Sequence, residues 1–179
     1  MDQRTIYILL TRSETWFSRL IHLATADDFT HASIGLEGPA GPFYSFARKN
    51  PATALPAGLV KERVGRGFFR RHPGIPCALY AMEVSEETYT VLERKVKGMY
   101  ARREEYHYNL LGALSCYFHL PLERRRHYFC SEFVAEVLCE SGATQLKRSP
   151  ALTRPMDFSR LEALRLVLRD RVGALAGAA

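Results

Sequence analysis

Tryptophan is almost missing from this chain and cysteine is scarce: one Trp and four Cys stand among 179 residues. Cys77, Cys116, Cys130 and Cys139 are scattered, and none forms a Cys-x-x-Cys pair. That spacing argues against a zinc ribbon or a thioredoxin-type redox motif, and a chain of this size has no need of disulfides. Carboxylates and histidines nowhere take zinc-binding spacing, so no metal and no cofactor are expected. No apolar run approaches the roughly 18 residues of a membrane helix, which predicts no stable membrane insertion. The opening MDQRTIYILLTR lacks the basic start and long apolar stretch of a secretory leader. A cytoplasmic location follows as the expectation.

What is present suits an ordinary folded domain. Hydrophobic residues make up 47% and charged residues 25%, which excludes a disordered or low-complexity chain. The formal net charge of +6 permits an anionic partner. Arg66, Arg70, Arg71 and Arg124 to Arg126 are not interleaved with aromatics on a recognisable motif, so no nucleic acid is expected. Without repeat or linker, residues 1–172 read as one domain, and the Ala/Gly-rich 173–179 as a frayed tail.

Periodicity places the elements. Thr5 to Thr11 reads as a strand, and Ser13 to Ala24 as an amphipathic helix. FTHASIGLE and FYSFAR flank a Gly/Pro turn, a hairpin signal. Leu59 to Val64, Cys77 to Val84 and Leu164 to Arg169 are further strands. Ser85 caps the longest helix, Asn109 to Phe118 forms a shorter and more buried one, and Phe129 to Ser141 a third that stops at Gly142. The expected class is α+β, with helices packed against a mainly antiparallel sheet.

Chemistry concentrates at Cys130. It stands where a polar segment turns into an amphipathic helix, and the N–H groups and dipole of a first helical turn favour a thiolate. The same N–H groups suit an oxyanion. Such a nucleophile is expected to be a partly exposed cleft residue. His31 opens a strand, where its ring can serve as the base. The third, orienting member is either Ser45, on the strand beside His31, or Glu62 on the next. Glu132 suits the helix's first turn by its charge.

Four motifs, FTHASIGL, FYSFARKNP, YHYNLLG and YFCSEFVAEVL, come in that order between Thr5 and Leu168. In this the chain resembles the circularly permuted papain-like cysteine hydrolases of the NlpC superfamily, the branch holding the YiiX-like amidases and the lecithin retinol acyltransferase group. The histidine precedes the cysteine, as in that branch. The resemblance implies a permuted papain-like fold, with Cys130 as nucleophile at a helix N-terminus, His31 as base and a polar residue on the adjacent strand. It also implies that Tyr108, Asn109 and Ser131 line the cleft, although Asn109 read alone is a helix cap. Phe129-Cys130-Ser131 departs from the Asn-Cys-Glu of the acyltransferase group, which favours the YiiX-like side.

The expected activity is hydrolysis of amide, peptide or related acyl bonds through a Cys130 acyl-enzyme. Two alternatives are an acyltransferase on the same dyad and a catalytically silent binding module. The substrate is expected to be a small-molecule, peptide or lipid-like acyl compound.

Overall fold

The computed structural model describes residues 3–12, 27–48 and 57–177. The helix expected over Ser13 to Ala24 falls outside them. The strands are β1 (Gln3–Thr11), β2 (His31–Gly35), β3 (Phe43–Arg48), β4 (Ala57–Glu62), β5 (Pro76–Ser85), β6 (His107–Tyr108), β7 (His127–Tyr128) and β8 (Arg165–Arg171). The helices are α1 (Gly67–Arg71), α2 (Glu86–Ala101), α3 (Leu110–Tyr117) and α4 (Cys130–Glu140). The class is α+β, with a six-stranded antiparallel sheet in the order β4-β3-β2-β1-β5-β8. Among the described residues no helix is long and apolar enough to cross a membrane.

The chain divides into two compact units, interleaved along the sequence. The first comprises Thr5–Phe43, Glu62–Glu83 and Pro155–Ala179. In it β1 pairs with β2, Thr11 opposite His31 and Tyr7 opposite Gly35. Ile8, Leu9 and Leu10 are consecutive and fully buried, so both faces of this half of β1 are covered. Leu9, Phe43, Phe69, Ile75, Cys77, Leu79 and Val172 form one core cluster. The Phe43 ring lies 2.7 Å from where a Cβ on Gly35 would stand, so only glycine fits there. The tail departs from expectation. Val172–Gly177 is a 3-10 segment with Leu175 wholly buried in the same cluster. Val172 and Gly173 donate their N–H groups to the carbonyls of Ile75 and Pro73, both at 2.9 Å. Two buried side chains, Val172 and Leu175, and two backbone bonds hold a segment that its Ala/Gly composition marks as loose.

The second unit comprises Met1–Arg4, Tyr44–Lys61 and Val84–Arg154. Ser85 caps α2, its hydroxyl accepting from Thr88 N at 3.2 Å. Tyr89, Leu92, Val96 and Met99 recur at helical spacing and are buried along one stripe. Lys95, on the same helix, pairs with Glu136 at 3.6 Å and with Glu140, both on α4. Phe133, Val134, Val137 and Leu138 of α4 are fully buried. Phe133 meets the ring of Phe46 on β3 at 5.4 Å. Gly142 follows α4 at φ +75, a left-handed position that glycine takes at no steric cost.

Helix α3 corrects a second expectation. Only its small residues Gly112, Ala113 and Cys116 are buried, whereas Leu110, Leu111 and Leu114 are exposed. The helix is apolar nearly all round, so its pattern does not single out the side that packs.

Candidate functional site

Two-residue strands β6 and β7 build the site. They pair in parallel, His107 beside His127 and Tyr108 beside Tyr128, and each leads directly into a helix. The ribbon therefore sets the N-termini of α3 and α4 at the same end. The His107 and His127 rings meet at 5.1 Å, tilted by 48°, and His127 Nδ1–H donates to the Arg125 carbonyl at 2.9 Å.

The two N-termini are closed differently. Asn109 Oδ1 accepts from Gly112 N at 3.0 Å, a side-chain cap on α3. Phe129 precedes α4 and has no side-chain acceptor to offer. Glu132, three residues on, reaches back and accepts the Phe129 N–H at 3.2 Å. That is one half of a capping box; the half that would occupy the helix's own first-turn N–H groups is missing. The first intrahelical bond runs from Phe133 N to Phe129 O at 3.0 Å.

Cys130 is the first residue of α4 and takes part in no disulfide. It is only 6% exposed, so it is not the partly exposed cleft residue expected. Beside it Ser131 is buried, and its hydroxyl has no hydrogen-bond partner among the described residues. Tyr108 packs against Ala113, Cys116 and Phe129. Burial first, then the nearness of Cys130 and Tyr117, pushes its hydroxyl pKa well up. Asn109 is fully buried, and its amide donates to the Leu122 carbonyl at 2.9 Å. Tyr108, Asn109, Cys130 and Ser131, all expected at the site, thus gather at the ribbon end of two helices.

Glu132 is part of this cluster and deserves a role beyond helix charge. It is 3% exposed, and burial pushes its carboxyl up to about 7. The Phe129 N–H and the Asn109 side chain act the other way. Glu132 also lines a cavity of about 390 Å³, together with Glu123, Tyr128, Glu136, Cys139 and Glu140. The cavity lies along α4; Cys130 does not line it. Tyr128 donates its hydroxyl to Glu136 Oε1 at 2.8 Å, and burial and that carboxylate hold it in the protonated form. Neither the cavity nor the Asn109–Glu132 link was visible in sequence; the signal for Glu132 was its place three residues after the N-cap.

The remaining expected residues lie on the sheet. His31 is the first residue of β2, half-buried and opposite Thr11. Ser45 is buried within β3. Its neighbour Phe46 packs on Tyr128 and Phe133, so alternation puts Ser45 on the other face of the strand. Glu62 ends β4, where desolvation pushes its carboxyl up to about 7. No cluster of three or more His, Cys, Asp or Glu among the described residues is arranged to hold a metal ion. Comparison of the chain with family models, with curated proteins and with solved structures yields no match.

Proposed function

We propose that the protein is a cysteine hydrolase of amide, peptide or related acyl bonds, with a permuted papain-like fold and Cys130 as its nucleophile. The observation that carries this reading is Cys130 as the first residue of α4, behind an N-cap with no side-chain acceptor. Such a first turn has N–H donors unspent by its cap, and these suit both a thiolate and a developing oxyanion. The desolvated Tyr108 hydroxyl and the Ser131 hydroxyl, unpartnered among the described residues, add polar groups beside the thiol.

In this mechanism the Cys130 thiol gives its proton to His31, and the sulfur attacks the acyl carbon. The leaving amine or alcohol takes that proton as the acyl–nitrogen or acyl–oxygen bond breaks, leaving a thioester on Cys130. Water, deprotonated by His31, adds to the thioester. The acid leaves, and the thiol is restored. Of the two candidates for orienting the imidazole, Ser45 and Glu62, the facing of Ser45 away from α4 favours Glu62.

The test is the pH dependence of iodoacetamide alkylation at each cysteine, read by mass spectrometry, in the wild type and in His31→Ala. Cys130 is expected to react fast below pH 7 and to lose that reactivity in the variant. Alkylation no faster than that of a free thiol, with a pKa of about 8.5, would overturn the enzyme and leave the binding module.

A further inference from the structure

From Tyr106 to Leu122 the sequence contains no Asp, Glu, Lys or Arg. This stretch covers β6, α3 and the segment that returns from the helix, and its leucines and Phe118 are turned outward. Phe118 is 72% exposed, Leu120 62% and Leu111 59%, with Leu110, Leu114 and Leu122 also exposed. On a helix Leu110, Leu111, Leu114 and Phe118 fall within one stripe about 100° wide. The return segment continues that surface. Leu120 N bonds Ser115 O at 3.0 Å, and the Leu122 carbonyl is held by Asn109 at the start of the helix, at 2.9 Å. The result is an apolar finger, its most exposed residues, Phe118 and Leu120, at the turn.

Basic residues collect at the base. After Leu122 and the exposed Glu123 come Arg124, Arg125 and Arg126, all exposed. Arg126 N–H and C=O groups lie beside the ribbon, where the Arg126 carbonyl accepts from His107 N at 2.8 Å. Its guanidinium pairs with Glu105 at 3.1 Å. Arg124 and Arg125 border the cavity that Glu123, Glu132, Glu136 and Glu140 also line, yet among the described residues neither forms an ion pair with a carboxylate. An apolar tip above a basic collar matches the layering of an anionic lipid surface, acyl chains below phosphate headgroups. Eight helical residues span roughly 12 Å, which suits insertion about 5–10 Å deep at the headgroup boundary. A second copy of the chain fits less well, since symmetric docking would bring two arginine collars of like charge together.

We propose that the finger of α3 and residues 118–122 docks the protein on anionic phospholipid membranes, without spanning them. The inference is independent of the reaction assigned to Cys130. The experiment is co-sedimentation of the full chain with phosphatidylcholine vesicles, with and without phosphatidylserine. Binding is expected to need phosphatidylserine and to fall as salt rises. Phe118→Glu and Leu120→Glu, each at an exposed position, are expected to lower vesicle affinity tenfold or more while circular dichroism stays that of wild type. Arg124→Ala and Arg125→Ala are each expected to lower it roughly fivefold. Cys130→Ala is expected to bind as wild type does, so a failed enzyme reading leaves this result standing. Wild-type protein that stays in the supernatant, binding that Phe118→Glu and Leu120→Glu leave intact, or a dimer that these variants dissociate without any vesicle binding, would each overturn the proposal.

Discussion

Helices α3 and α4 leave the same two-stranded ribbon, yet they treat their apolar residues in opposite ways. Helix α4 buries eight consecutive-turn residues from Cys130 to Leu138, including Phe133 and a carboxylate, and makes the unit's core. Helix α3 buries Gly112, Ala113 and Cys116 and turns its leucines to water. Both sequences are strongly apolar, so hydrophobicity alone does not decide what is buried. The side that carries small residues lets α3 lie close to the ribbon; the large side chains are left over. A helix that stabilises the fold and a helix that offers a surface can therefore look alike in composition.

The widest gap between the two should appear on truncation. Phe133→Ala removes a fully buried ring that touches Phe46, and a loss of about 3–5 kcal/mol is expected in urea denaturation. A loss under about 1 kcal/mol would mean that α4 is not the core element described.

The second contrast is electrostatic. Helix α4 carries a buried acid in its first turn, and α3 carries none. Burial raises the Glu132 carboxyl from its ordinary 4.5 to about 7. Between those values the folded state holds a proton that the unfolded state has lost. Stability from this group is therefore fully present below pH 4.5 and is lost as pH rises through about 7. The span corresponds to up to about 3 kcal/mol. Glu132→Gln is expected to flatten stability against pH over this window. Part of the slope should remain, because Glu62 is raised in the same direction. An unchanged slope would show that Glu132 is already ionised in the folded protein.

A third test turns on the caps. Gly112→Ala ought to help a helix by about 1 kcal/mol on propensity. Here the new Cβ would overlap the Asn109 amide, which caps α3 and holds the Leu122 carbonyl. A net loss of about 1–3 kcal/mol is expected instead. Stabilisation on thermal melting would show that Asn109 can move aside freely.

Much of this architecture was legible. Ser85 before an apolar-periodic run and Gly142 after one mark helix ends by local chemistry, and local chemistry is what a sequence displays. The short apolar runs of β1 and β5 are equally local. The ribbon was not legible, since two residues per strand give no period and their partner lies twenty positions away. The facing of α3 was hidden because apolar residues surround it. The burial of Leu175 depends on a core assembled from distant strands. At the site, Cys130, Tyr108, Asn109 and Ser131 could be named from motifs. The burial of the thiol and the hydrogen bond from Asn109 to the Leu122 carbonyl depend on the ribbon, and so were beyond reach.

The smallest expected effect is the one that sharpens the comparison most. Leu111→Gln and Leu114→Gln exchange exposed leucines on α3 for a polar side chain with comparable helix propensity. If the outward face contributes nothing to the fold, each should change unfolding free energy by no more than about 0.5 kcal/mol. Phe133→Ala, three residues into the sister helix, sets the scale against which that null is read. A cost near 2 kcal/mol at Leu111 or Leu114 would mean that these side chains are covered within the protein in solution. The finger would then be a core element rather than a docking surface. Neutral stability combined with lost vesicle binding would separate the two helices by role, one holding the unit together and the other meeting what lies outside it.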